Sequence, residues 1–268
     1  MTVLNRPVEP QDRPVWVGTS WKMTKTLGEA RAFVDRIAGE VVPTGVQPFV
    51  IPPHTALAAV RERLPLDSPV LLGAQNAHWA PEGAWTGEIS MAMAADAGAR
   101  LIEIGHSERR QHFGETDETV AAKTAAALDH DLTPLVCVGE PREVRDAGRA
   151  EEFIAGQVRA ALAWVPAAAT GQVLLAYEPI WAIGASGRAA HPHEVAPVLR
   201  RIVSVVAELT AGERLRALLY GGSVSLHNAA ELLSDPCTDG LFVGRSAWQA
   251  DGFLHLWEVA EGARSRDR

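Results

Sequence analysis

Two cysteines in 268 residues are too few for a disulfide framework, and neither Cys137, inside an apolar run, nor Cys237, in a polar one, has a metal-ligand spacing. A reducing compartment fits such a chain, and the cytoplasm is the expected address. Basic residues are in deficit: 25 Lys and Arg against 33 Asp and Glu leave a formal net charge of −8. That balance argues against a nucleic-acid partner, because binding a phosphate backbone needs a broad basic face that releases counterions. An anionic small substrate would need a pocket that is positive only locally. No stretch approaches the roughly 20 apolar residues that span a bilayer, and the opening MTVLNRPVEPQDRP lacks the apolar core of a secretion signal. No membrane partner is expected. Residues 1–13 and 263–268 are polar and read as tails around one domain at 14–262.

What the chain does have is a regular alternation. Short apolar runs stand at 15–20 (VWVGTS), 46–51, 70–75, 101–104 (LIEI), 134–138, 172–177, 216–220 and 240–244 (GLFVG). Most lack the polar alternation of a one-sided sheet, as expected of parallel strands buried on both faces. Between them lie Ala-, Leu-, Glu- and Arg-rich segments, such as 27–41, 118–130, 150–165 and 193–209, that read as amphipathic helices. About eight β-then-α units is the number that closes a (β/α)8 barrel, at close to its typical ~250 residues. An open doubly wound sheet is the alternative that alternation alone leaves standing.

In a barrel, chemistry belongs in the loops that follow the strands. Ser20-Trp21-Lys22 follows the first run, Gly105-His106-Ser107-Glu108 the fourth, and Glu178-Pro179 the sixth. Each has a plain structural explanation, as a solvated lysine or a capping histidine. A glutamate directly after an apolar run is more telling, since burial raises a carboxyl's pKa and suits it to general-base work. Gly184 and Gly187, Gly221-Gly222-Ser223 and Gly244 have the backbone N–H groups that a phosphate cradle uses without net positive charge, the plain alternative for each being a glycine that merely turns the chain.

These residues carry a resemblance. Trp21-Lys22-Met23, IGHSERR (104–110), AYEPIWAIG (176–184) and YGGSV (220–224), in this order between about residues 15 and 260, resemble the triosephosphate isomerase family. The resemblance implies a single (β/α)8 barrel of that family's type and displaces the open sheet. It also implies roles that belong to the family, itself a standard case of pKa tuning, and not to the spacing alone. Glu178 matches the base, His106 the neutral imidazole that polarises the carbonyl, and Lys22 the cation beside the developing enediolate, with Glu108 and Ser20 close by. Segment 179–190 matches a lid, with Ile183 pressing on the base. Gly184, Ser223 and Gly244 match the phosphate cradle, and Tyr220 matches the latch of the closed lid. Neither a metal nor an organic cofactor is implied, the reaction being a proton transfer without net redox change. Loop 73–87, with Trp79 and Trp85, matches the loop by which the family's subunits plug together, so a homodimer is expected.

Departures from the family pattern gather around the substrate. Ser20 stands where asparagine is usual, the lid is one residue longer through Ala185-Ser186-Gly187, Phe242 replaces a leucine near the base, and Arg245 replaces the second glycine of the eighth loop, beside the phosphate. With GTSWKM, GAWTGEIS and GRSAW (244–248), they make the chain similar to the branch that acts on four-carbon ketose phosphates in erythritol breakdown, the L-erythrulose-1-phosphate isomerases. Ordinary three-carbon triosephosphate isomerisation is the alternative, and a non-catalytic phosphate-binding barrel a remote one.

Overall fold

The computed structural model describes residues 13–184 and 187–264. The rest of both expected tails, together with lid residues Ala185 and Ser186, lies outside the described residues. Eight parallel strands close into a barrel in the order β1 to β8, each hydrogen-bonded to its sequence neighbours and β8 to β1. In chain order the elements are β1 (Val15–Ser20), α1 (Leu27–Ala38), β2 (Val46–Ile51), α2 (His54–Arg63), β3 (Leu71–Ala74), α3 (Met91–Asp96), β4 (Leu101–Ile104), α4 (Ser107–His112), α5 (Asp117–Asp129), β5 (Thr133–Val138), α6 (Arg142–Asp146), α7 (Ala150–Ala161), β6 (Leu174–Tyr177), α8 (Pro192–Thr210), β7 (Ala217–Tyr220), α9 (Ala229–Leu232), β8 (Gly240–Val243) and α10 (Ala250–Arg264). Several expected boundaries move: the helix of 150–165 ends at Ala161, and the strands at 70–75 and 172–177 shorten to Leu71–Ala74 and Leu174–Tyr177. The helix of 27–41 stops at Ala38, where Gly39 caps it, and α10 continues to Arg264, into the stretch read as a tail.

The period of two along a strand sorts the apolar residues into two cores. Trp16, Phe49, Ile51, Leu101, Leu135, Cys137, Leu174, Ala176, Ala217, Leu219 and Phe242 fill the barrel interior. Their alternates, such as Val17, Ile102, Val136, Leu175 and Leu218, pack outward against the helices. Gly18 is glycine because the Phe49 ring occupies its side-chain space: a Cβ there would stand 1.8 Å from the ring. In the outer shell, α1 buries Ala30, Phe33, Val34 and Ile37, one helical stripe, and begins in a capping box of Thr26 and Glu29. Each such Phe, Val or Ile contributes about 1.5–3 kcal/mol on burial. Among the described residues no helix is long and apolar enough to cross a membrane.

Candidate active site

Strand alternation decides which side chains reach the axis at the C-terminal rim. Trp16 faces inward, so Gly18 and Ser20 do too; Leu174 and Ala176 carry the period on to Glu178, and Ala217 and Leu219 to Gly221. His106 arrives by a different route. Gly105, at φ 74, breaks the period of β4, and His106 becomes the N-cap of α4. Its Nδ1 accepts the backbone N–H of Glu108 at 3.1 Å. A ring nitrogen that accepts carries no proton, so Nε2 is the N–H of a neutral ring, and it lies 3.7 Å from Glu178 Oε2.

Glu178 is 5 % exposed, and its buried Oε2 has no hydrogen-bond partner among the described residues. Its backbone N–H donates to Val138 O at 2.7 Å. Gly221 crowds the side chain: a Cβ at that position would stand 2.7 Å from Glu178 Cγ and 2.9 Å from Oε1. The carboxylate is thus held by packing and left free of hydrogen bonds at one oxygen.

Lys22 sits at φ 53, left-handed backbone that L-residues avoid and that costs of order 1 kcal/mol or more. The Gln75 side-chain amide donates to its carbonyl at 2.8 Å and helps to hold that conformation. Lys22 Nζ donates to Glu108 Oε1 at 2.7 Å. Burial alone would pull the ammonium pKa down, but the Glu108 hydrogen bond and the charges of Glu178, Glu108 and Glu103 outweigh it, and the net shift is upward. Conversely, burial pushes Glu108 up, and Lys22 overrides this to hold it below the ordinary carboxylate value. The pairing keeps Lys22 ionised at the cavity, with its charge balanced by that of Glu108.

One cavity of about 780 Å³ is lined by Ser20, Lys22, His106, Glu108, Glu178, Ile183, Gly184, Ser223, Phe242, Gly244 and Arg245. Of the site residues expected from the sequence, all line it except Tyr220 and the cradle glycine Gly187. The period of two turns Tyr220 away from the axis, toward the helix shell, where it packs edge-on to Tyr177 at 6.2 Å. Its hydroxyl makes no hydrogen bond to a described residue. Ser223 and Arg245 also do more than line the cavity. Ser223 Oγ donates to Ala182 O at 2.5 Å and Arg245 Nη2 to Gly184 O at 3.2 Å, so both hold the first half of segment 179–190. Phe242 stacks on Phe49 at 5.7 Å in the barrel floor.

The structure adds residues that the sequence reading passed over. Glu103 is 3 % exposed and accepts the Ser20 hydroxyl at 2.8 Å. Burial pushes its carboxyl up to about 7, with the Glu178 charge adding and His106, the Ser20 hydrogen bond and Lys22 opposing. Alternation in LIEI would have placed it, since Leu101 faces inward and Glu103 is two residues on. Burial, then the charges of Glu178 and Glu103, also push the Cys137 thiol well above its ordinary value. Trp248 lines the cavity and donates Nε1–H to the Ser20 carbonyl at 2.9 Å; nothing in its local sequence signals that contact.

The comparisons with known proteins agree with this geometry. A protein of Mycolicibacterium smegmatis named L-erythrulose-1-phosphate isomerase is 52% identical over 249 residues, 92% of this chain and 93% of its own. Proteins of the same name from Mesorhizobium japonicum and Rhizobium meliloti are 49% and 50% identical, covering 92% and 90% of this chain and 98% and 95% of their own. The family model of triosephosphate isomerase matches residues 15–260. With a closed eight-stranded parallel barrel beneath that match, the chain belongs to the triosephosphate isomerase family of sugar-phosphate isomerases.

Proposed function

We infer that this isomerase converts L-erythrulose 1-phosphate to D-erythrulose 4-phosphate by proton transfer between adjacent carbons. The observation that carries the chemistry is the meeting of a buried carboxylate oxygen without a partner among the described residues, an imidazole N–H and an ammonium in one cavity, with Glu178 Oε2 and His106 Nε2 3.7 Å apart. Glu178 takes the proton from C3 of the ketose. The electrons of that C–H bond form the enediolate double bond, and charge develops on the C2 oxygen, where His106 Nε2–H and Lys22 stabilise it. His106 moves a proton between the two enediol oxygens, Glu178 returns its proton to C2, and the carbonyl is left at C3. The backbone of Gly184 and Gly244, with Ser223 and Arg245, holds the phosphate. Segment 179–190, carrying Ile183, closes over the intermediate and excludes water.

The four-carbon substrate is supported by Ser20 and by the shared name of relatives about half identical to this chain. The extra hydroxymethyl group sits on the reacting carbon, and serine is about half the size of the asparagine usual there. Phe242 is larger than leucine but lies in the barrel floor against Phe49, so the room opens sideways, by Ser20 and Trp248. One extra carbon in a pocket usually changes selectivity by ~10 to 200-fold. Purified protein is expected to show that preference in kcat/KM for L-erythrulose 1-phosphate over glyceraldehyde 3-phosphate, and Ser20→Asn to shrink it. A wild-type value for glyceraldehyde 3-phosphate equal to or above the other would assign the chain to ordinary triosephosphate isomerisation.

The same reading includes a homodimer. Trp79 and Trp85 in the loop after β3 remain 39% and 50% exposed, Trp79 stacked on His78 and Trp85 tilted against it. Such exposed aromatics on a long loop are what a partner surface covers. Sedimentation equilibrium is expected to give twice the 28.7 kDa chain mass, and Trp79→Ser with Trp85→Ser to shift it toward the monomer. A monomeric wild type would remove the loop from this role.

A further inference from the structure

Ser20 is held from two sides in a way that fixes its polarity. Its carbonyl accepts Trp248 Nε1–H at 2.9 Å, and its hydroxyl proton is committed to Glu103 Oε2 at 2.8 Å. Glu103 does not line the cavity; it lies beneath, inside the barrel, 3 % exposed and facing Lys22 from β1's loop, His106 from its own, Cys137 from β5 and Glu178 from β6. A carboxyl in this position is expensive to bury, and proton transfer as described above makes no use of it. An acceptor oxygen remains for Ser20 whether the carboxyl is ionised or protonated. A serine whose proton is directed downward offers only lone pairs to the cavity. An asparagine there could offer N–H donors instead.

We propose that Glu103 is a positioning residue for specificity: it turns the Ser20 hydroxyl so that Ser20 Oγ accepts a hydrogen bond from the terminal hydroxyl of a four-carbon substrate. The three-carbon substrate has hydrogen in place of that hydroxymethyl group and leaves the acceptor unmatched. This rests on the four-carbon reading given above. The barrel core beneath the site thereby participates in substrate choice without touching substrate.

The test is the ratio of kcat/KM for L-erythrulose 1-phosphate to that for glyceraldehyde 3-phosphate, which cancels losses of folded protein. Glu103→Leu frees the Ser20 proton to rotate into the cavity, and Ser20→Ala removes the acceptor. Each is expected to lower the ratio about tenfold, the scale of one selectively made hydrogen bond. The double variant is expected to lose no more than either single one, because both break the same contact. Glu103→Gln, whose amide oxygen can still accept from Ser20, is expected to keep the wild-type ratio. An unchanged ratio in Glu103→Leu, additive losses in the double variant, or an equal loss on both substrates would overturn the role of Glu103.

Because Glu103→Leu could fold poorly, a second measurement uses only wild type and Glu103→Gln. A carboxyl raised to about 7 in the fold from its ordinary value near 4.5 takes up a proton on folding. Its contribution is then fully present below about 4.5 and lost as pH rises through about 7. The wild-type melting temperature is therefore expected to fall relative to Glu103→Gln between pH 5 and pH 8. A constant difference would mean that the carboxyl is not sealed beneath Ser20, and the proposal would fail. The two readings fail separately: a wild type that does not prefer L-erythrulose 1-phosphate overturns the substrate, whereas a preference that survives in Glu103→Leu overturns Glu103 alone.

Discussion

Glu178→Gln is expected to lose about 10² to 10⁴ in kcat, the range that a positioned general base supplies, with KM close to that of the wild-type enzyme. The substitution is chosen for shape. Glutamine fills the same space under Gly221, whose backbone approaches Glu178 Cγ closely enough to exclude any side chain, so packing and the cavity wall are retained. What is removed is the ability of Oε2, which has no hydrogen-bond partner among the described residues and faces His106 Nε2–H at 3.7 Å, to take a proton. Steady-state kinetics with both candidate substrates, alongside inhibition by inorganic phosphate, would separate binding from chemistry. A variant that turns over near the wild-type rate would place the base elsewhere and leave Glu178 as a buried structural carboxylate.

Lys22→Ala is expected to lower kcat/KM by about 10² to 10³, the effect of removing one preorganised charge from a developing oxyanion. Unlike Glu178→Gln, it should damage KM and kcat together if, as proposed, one ammonium serves both the bound phosphate and the enediolate. Stability gives the control. The partner left behind, Glu108, has a side chain 46% exposed, so water can take over its solvation and little folding free energy is at stake. The left-handed backbone at φ 53 is no easier for alanine than for lysine. Loss of activity at an almost unchanged melting temperature is therefore the expected outcome. A large fall in melting temperature with normal kinetics in the surviving enzyme would make Lys22 structural.

How much of this was legible beforehand differs from residue to residue. Strand and helix positions were readable because their causes are local: a period of two or 3.6, a capping box at Thr26 and Glu29, a glycine after α1. His106, Lys22 and Glu178 were readable because each follows directly on a strand, and a closed barrel brings all such positions to one rim. Tyr220 shows where that reasoning thins out. It stands at the same rim, yet it is one residue out of step with inward-facing Leu219, and the side chain points into the helix shell.

The sequence by itself determined the barrel, the rim on which chemistry is built and the residue types found there, because each rests on patterns a few residues long. Tertiary structure alone decided the partnerships. Ser20 and Glu103 are 83 residues apart, and Ser20 and Trp248 228 apart; they meet only because neighbouring strands fix their registers around a closed ring. Nothing near Ser20 in the chain announces which way its hydroxyl proton points. Direction is set by a carboxyl three strands away, buried at a cost that the surrounding fold offsets, and so the polarity of the substrate site is a property of the barrel and not of any segment of it.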